Sequence, residues 1–366
     1  MRILHLVNHC DRGGNVHVPV DLACLQAING HTVSYASVGG NYEGLLKQCG
    51  VHHEFLPQNL RNPLKAARSV VRLISFCRRF KPDVLHAHMM SGAVQGYVAS
   101  RLLGIPMVTT VHNSFDKHAR LMRLGDCAVA VSEAERFLLL RQGYRAARVH
   151  VVRNGTIGSP RDKWNDTELK LDIRRPCVTT VCGLERRKGV HDLIDAFRIC
   201  CAAGLHWHLY IVGDGPERKN LEEKAEKAGI EDRVHFLGFV ANPKAIYSST
   251  DIFVLASYAE ACALVISEGR EAGCALVATA VGGTPEQLEF GRAGQLFQPG
   301  DVDGLARELI ALMTQPAALA AAKERAKQNT DYFSLNRVYR DYLAVYETAL
   351  GISPRAIGSK YVPRVQ

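Results

Sequence analysis

Short apolar runs of four to six residues recur along the chain, and the longer stretches between them have compositions compatible with helices. That alternation predicts strands buried in a parallel sheet, with helices covering both of its faces. In the first half the runs fall at Arg2 to Val7, Thr32 to Ser37, Asp83 to Ala87, Met107 to Val111, Cys127 to Val131 and Val149 to Val152. From Asn154 to Arg175 the pattern turns polar, with Gly155, Gly158, Pro160 and a run of charges, and apolar alternation resumes at Cys177. Strands are then expected at Val178 to Cys182, His208 to Val212, Val234 to Leu237, Ile252 to Leu255, Ala275 to Ala278 and Gly294 to Phe297. The expected fold is α/β, two doubly wound Rossmann-like domains facing a cleft. Its expected divisions are 1–158, a linker 159–176, a second domain 177–333, a C-terminal helix 334–350 that could return to the first domain, and a loose tail 351–366.

A chain of 366 residues exceeds what one hydrophobic core usually supports, which agrees with two domains. With 47% hydrophobic and 22% charged residues it reads as an ordinary globular protein, neither disordered nor fibrous. No run is long enough for a membrane span, and Ile3 to Asn8 is too short for a signal-peptide core, so a cytoplasmic location is expected. The eleven cysteines include no C-x-x-C pair and are expected to be buried, reduced thiols. The net charge of +9 is concentrated between Phe55 and Pro82, which holds seven basic residues and no acidic one. On a helix, Lys65, Arg68, Arg72 and Arg79 share one stripe, with Phe76 and Phe80 at its edge and Val70, Val71, Ile74 and Cys77 on the other side. Such a face suits an anionic lipid surface or a phosphate-bearing acceptor better than nucleic acid, and a merely solvated face would look the same.

Candidate chemistry sits at the carboxyl ends of predicted strands, where ligands settle in open α/β sheets. After the first strand, Asn8 to Gly14 reads NHCDRGG, and Gly13 with Gly14 would let backbone amides approach a diphosphate. After the first strand of the second half, Gly183 to Gly189 reads GLERRKG, placing Arg186, Arg187 and Lys188 where a departing phosphate would need positive charge. Either segment alone could be a simple turn. After Ile252 to Leu255, SYAEACALVISEGREAG sets Glu260 and Glu268 apart by seven intervening residues, so one carboxylate sits in the loop and the other inside a helix. They could grip different parts of one extended ligand. Gly213, Asp214, Gly215 and Pro216 follow one neighbouring strand, and Gly282, Gly283 and Glu286 follow another.

With PDVLHAH at Pro82 to His88, TTVHNS at Thr109 to Ser114, VSEAE at Val131 to Glu135, VVRNG at Val151 to Gly155, and RKG, VGDGPE, VHFLGFV and VGGTPE in the second half, the chain resembles the retaining GT-B glycosyltransferases of family 4 over roughly Met1 to Leu350. The resemblance implies an acceptor-binding first domain and a nucleotide-sugar-binding second domain. It implies that Glu260 holds donor-sugar hydroxyls, that Glu268 holds the ribose, and that Lys188, with Arg186 or Arg187, neutralises the leaving diphosphate. His112 would face the reacting sugar, and Gly13 and Gly14 would approach the phosphates. Gly213, Ala261, Cys262, Ala263 and Leu264 would complete the donor site. No metal or other cofactor is implied, the co-substrate being a UDP- or GDP-sugar. The implied reaction is metal-independent transfer of a hexosyl or N-acetylhexosaminyl group to a lipid-linked or cell-surface polysaccharide or lipopolysaccharide acceptor, with the enzyme cytoplasmic or peripheral at the inner face of the plasma membrane.

Three positions depart from the family pattern. Gly183 stands where many members have Arg, Ala261-Cys262-Ala263 replaces Gly-Phe-Gly after the first glutamate, and NGTI at Asn154 to Ile157 replaces NGVD. They leave open an enzyme making a small soluble glycoside, a non-catalytic nucleotide-sugar-binding protein and, less favoured, a nucleotide-sugar epimerase. His86 and His88 could face one side of a strand as metal ligands, but the sequence offers no third ligand. Asp301 and Asp303 form a D-x-D pattern that helix capping explains better, and Asp214 reads as a turn residue.

Overall fold

The computed structural model describes residues 1–11, 13–58, 62–115, 117–164 and 173–352. Two parallel sheets carry the architecture. The first contains β1 (Arg2–Leu6), β2 (Thr32–Ser37), β3 (His52–Phe55), β4 (Val84–Ala87), β5 (Met107–Val111), β6 (Cys127–Ala130) and β7 (Val149–Val151), in the order β3-β2-β1-β4-β5-β6-β7. The second contains β8 (Cys177–Val181), β9 (His208–Val212), β10 (Val234–Gly238), β11 (Ile252–Leu255), β12 (Ala275–Thr279) and β13 (Gln295–Phe297), in the order β10-β9-β8-β11-β12-β13. Both are doubly wound Rossmann-like sheets, and in each the order reverses beside the first strand, between β1 and β4 and between β8 and β11. The central strands are buried on both faces, which is why they read as continuous apolar runs.

Strand β3 escaped the sequence reading. His-His-Glu-Phe has no apolar run, because β3 is a half-exposed edge strand held by pairing Ser34 with His52 and Ser37 with Phe55. The helix Leu335–Ala349 does return to the first domain. Ser334 caps it, and Val338, Tyr342, Val345 and Tyr346 pack against Ile3, Leu22, Val108 and Val129 beneath the first sheet. Residues 165–172 of the segment expected to be a polar linker, and 353–366 of the expected tail, lie outside the described residues. At the start of that segment Ser159 and Arg161 are buried: Arg161 makes a bidentate pair with Asp21 (2.9 and 2.8 Å), and Ser159 donates to the same carboxylate. This pair ties the crossover to the helix Gly14–Ile28.

The basic helix runs Pro63–Phe80, with Asn62 accepting from the Lys65 amide and Lys81 closing it in the left-handed region. Lys65, Arg68, Arg72 and Arg79 are exposed as expected. The apolar side differs from the expectation. Ser69, Leu73, Phe76 and Cys77 face inward, whereas Val71 is 66% exposed, beside an equally open Leu64. The cause is β3: its His52 ring stacks on Phe76, which stacks on Phe80, so the helix is rotated to cover the edge strand. All eleven cysteines are free, and most are buried.

Candidate active site

Strand order reverses beside β1 and beside β8, so connections leave to opposite faces of each sheet there and open a crevice at the carboxyl ends of the strands. Between the halves lies a cleft of about 1210 Å³ lined from the first half by Gly13, Gly14, His88, His112 and Phe115 and from the second by Arg187, Lys188 and the loop Glu260 to Leu264. A smaller adjoining cavity of about 290 Å³ is lined by Gly13, Gly14, Gly183, Gly213, Tyr247 and Glu268. Helices Gly14–Ile28 and Leu264–Ala272 begin at this cleft, Leu264 being the residue nearest to Gly14 across it. Their unpaired amides and dipoles favour an anion there.

In the second half, the turn after β8 sets Lys188 Nζ 2.6 Å from Oε1 of Glu260, with Arg187 Nη1 3.7 Å from the same oxygen. Glycine makes the approach possible. Gly189 takes a positive φ, and a Cβ there would collide with the Ala256 carbonyl; a Cβ at Gly282 would collide with the Glu260 carbonyl. The two glycines let the lysine turn and the VGG turn close on the glutamate loop from both sides. Arg187 is fixed further by donating to the Ala259 carbonyl (2.9 Å), and its guanidinium lies 5.7 Å from the ring centre of Phe115 across the cleft. Glu268, one helical turn into Leu264–Ala272, accepts from the Tyr247 hydroxyl at 2.9 Å. Burial raises its pKa, while Arg161 and the Tyr247 bond oppose the rise.

In the first half, His112 follows β5 and lines the cleft. Burial pushes its pKa down to about 4, so the ring is neutral. Its Nε2 lies 3.2 Å from Nδ1 of His88.

The departures of this loop from the family pattern have a geometric answer. Among the described residues, the non-glycine positions with positive φ are Lys81, Glu289, Phe290 and Asn329, so Ala261, Cys262 and Ala263 follow a path open to any residue. Ala261 and Cys262 pack with Val131, the VGG turn closes against Ala261, and Ala263 packs in the cluster of Phe253 and Leu276. The loop is fixed by Gln287: the Ala263 amide donates to its Oε1 (3.0 Å), and its amide nitrogen returns a bond to the Ala263 carbonyl. Arg186 falls outside the cleft. Its side chain is exposed, unlike those of Arg187 and Lys188, and its charge acts on Glu217 and Tyr258. Lys65, Arg68, Arg72 and Arg79 lie on the outer helix face, away from these loops.

Sequence reading missed how the halves are joined. Glu286 accepts from the amides of Glu133 (3.0 Å) and Ala134 (2.8 Å), the first turn of the helix Glu133–Arg141, and pairs with Arg153 at 2.8 Å. Asn154 donates to the Cys262 carbonyl, and the Thr156 and Ser267 hydroxyls lie 2.7 Å apart. The PE of VGGTPE and the VSEAE run were both visible, but nothing in either paired them. A third histidine was missed too. His5, register partner of His86, brings its ring within reach of His86 and His88, with nitrogens of all three lying within 4.8 Å of one another. Asp301 caps its helix through the Gly304 amide and Asp214 closes its own turn, as the sequence suggested.

Residues 12–156 match the model for Glycosyltransferase Family 4, and residues 165–329 match that for glycosyl transferases group 1. N-acetyl-alpha-D-glucosaminyl L-malate synthase of Bacillus anthracis is 27% identical over 76% of this chain and 78% of its own length. Anabaena HepE, crystallised with UDP and glucose, superposes with a TM-score of 0.80 over 95% of this chain and 100% of its own at 23% identity. WaaG, a glycosyltransferase involved in lipopolysaccharide biosynthesis, superposes at 0.72 over 96% of this chain and 100% of its own at 16% identity. With a family 4 match over its first sheet and a group 1 match over its second, the chain is a glycosyltransferase of the GT-B fold.

Proposed function

We propose that the chain is a retaining, metal-independent glycosyltransferase that moves a hexosyl or N-acetylhexosaminyl group from a UDP- or GDP-sugar to a lipid-linked or cell-surface polysaccharide or lipopolysaccharide acceptor. The observation that carries this reading is the convergence of Lys188 and Glu260 from one half with His112 from the other on a single cleft. Positive charge fixed at 2.6 Å from a carboxylate, beside two helix N-termini, offers a diphosphate the compensation that a divalent cation would otherwise supply. Lys188 and Arg187 stabilise the leaving diphosphate, Glu260 holds hydroxyls of the donor sugar, and Glu268 holds the ribose. His112 stands at the opposite wall beside the anomeric carbon. As the bond from that carbon to the phosphate oxygen breaks, the acceptor oxygen bonds to the same face, and its proton passes to the departing phosphate. The protein's part is then positioning and charge stabilisation in a closed cleft.

A UDP-sugar is the preferred donor of the two, since the solved relative with the higher of the two TM-scores holds UDP and glucose. A lipid-linked or surface acceptor is supported by the outer helix face, where Lys65, Arg68, Arg72 and Arg79 alternate with exposed Leu64 and Val71. Cations interleaved with apolar side chains suit an anionic bilayer surface. Among the described residues no helix is long and apolar enough to cross a membrane. A melting screen against UDP- and GDP-sugars tests the reading, because a ligand bound only by the folded chain raises its melting temperature. Stabilisation by a sugar nucleotide that disappears in Glu268→Ala and Lys188→Ala supports it, and indifference to every sugar nucleotide opposes it.

A further inference from the structure

Behind His112 runs a line of buried polar groups to which the proposed transfer assigns no role. His88 follows β4, His5 lies in β1 and Gln26 lies in the helix Gly14–Ile28; all three are buried. His112 Nε2 lies 3.2 Å from His88 Nδ1, His88 Nε2 lies 3.0 Å from His5 Nδ1, and His5 Nε2 lies 2.7 Å from Gln26 Oε1. A neutral imidazole has one nitrogen that donates and one that accepts. A row of neutral rings joined head to tail is therefore directional, and fixing one end fixes every proton along it. Burial holds all the rings neutral, lowering His5 and His112 to about 4 and His86 and His88 well below the ordinary histidine value.

Gln26 fixes the end. Its oxygen, 2.7 Å from His5 Nε2, can only accept, so His5 carries its proton on Nε2. Its nitrogen lies 3.1 Å from the Tyr346 hydroxyl, a length that suits an N–H donor better than an O–H donor, whose bonds to oxygen cluster at about 2.7–2.8 Å. A second branch agrees with the first. Tyr346, accepting from Gln26, donates to His86 Nδ1 at 2.7 Å, and His86 Nε2 then donates to Thr110 Oγ1 at 2.7 Å. Both nitrogens of His5, His86 and His88 are committed to these bonds, so the cluster is a hydrogen-bond relay and not a metal centre.

We propose that Gln26, acting through His5 and His88, fixes His112 as the Nε2–H tautomer and leaves its Nδ1 lone pair as the acceptor offered to the donor sugar in the cleft. This rests on the reading of His112 as the group facing that sugar. It makes Gln26, His5 and His88 positioning residues. A neutral acceptor at that wall can accept a hydrogen bond from a hydroxyl of the sugar, and it adds no positive charge beside a carbon that is becoming cationic.

Nitrogen-15 imidazole spectra of the full chain, labelled at histidine and recorded without substrate, test the proposal. His112→Gln identifies the His112 signals by their loss. The expected result is a pyrrole-type Nε2 and a pyridine-type Nδ1 for His5, His88 and His112 alike. Gln26→Glu, which keeps an acceptor for His5, should retain that pattern, and Gln26→Leu should give averaged, mixed tautomers at His112 with kcat lower by about tenfold to a hundredfold. A protonated Nδ1 on His112, ring signals that shift on adding Zn²⁺, or a Gln26→Leu variant that loses activity with His112 still purely Nε2–H would overturn it. Should Gln26→Leu fail to fold, the wild-type spectrum decides alone. The functional reading is separable from the relay: a fully active His112→Gln enzyme contradicts the role of His112 whatever its tautomer.

Discussion

The ammonium nitrogen of Lys188 lies 2.6 Å from Oε1 of Glu260, joining the turn after β8 to the loop after β11. Both side chains are largely withdrawn from solvent, so the pair is a fixed part of the cleft wall and not a mobile surface contact. Lys188→Ala should lower kcat by about 10²–10³-fold, the scale of losing one preorganised charge-stabilising group. In a double-mutant cycle the same change made in Glu260→Gln should cost markedly less, and strict additivity would mean that the two act separately.

The buried histidines give stability a defined pH dependence. Burial holds His5 and His112 at about 4, below the ordinary histidine value of 6.5 that the unfolded chain adopts. Between those values the unfolded chain binds more protons, so this contribution is complete above pH 6.5 and is lost as the pH falls toward 4. The expected slope is about 1.4 kcal/mol per pH unit for each histidine still neutral in the fold. Urea midpoints measured from pH 7 downward check it, and a flat profile would contradict it. By the same shift kcat should show no ionisation belonging to His112 between about pH 5 and 8.

Glu286 holds the two domains together by capping the helix Glu133–Arg141 from the opposite side and pairing with Arg153. Glu286→Ala should destabilise the chain by about 1.5–3 kcal/mol, as expected for charge-assisted bonds to backbone amides. Thermal unfolding reads this directly, and an unchanged melting temperature would show that the contact adds nothing.

The outer helix face should bind anionic vesicles. Lys65→Glu combined with Arg68→Glu replaces two of its exposed cations and should abolish sedimentation with phosphatidylglycerol vesicles while leaving donor binding intact. Unchanged sedimentation would reduce the face to a solvated surface.

Of the thirteen strands among the described residues, twelve were legible because burial on both faces makes a parallel strand read as a continuous apolar run. The edge strand His52–Phe55 was not, and its absence from the reading misplaced Val71 and Phe76 on the helix that covers it. Glu260, Glu268, Lys188 and His112 were legible from motifs at strand ends. The bonds that hold them were not. The Glu286 clasp and the line from Gln26 to His112 join residues far apart in sequence, 153 and 83 positions in the contacts Glu286 to Glu133 and His88 to His5, and no local pattern encodes such a meeting.

Turnover of a sugar nucleotide in excess chelator, compared between the wild type and Lys188→Ala, bears most directly on the account. Fixed protein charge in place of a metal predicts that wild-type transfer persists in chelator and that Lys188→Ala, still folded, loses about 10²–10³-fold. An absolute requirement for Mg²⁺ or Mn²⁺, or a Lys188→Ala enzyme as fast as the wild type, would contradict it.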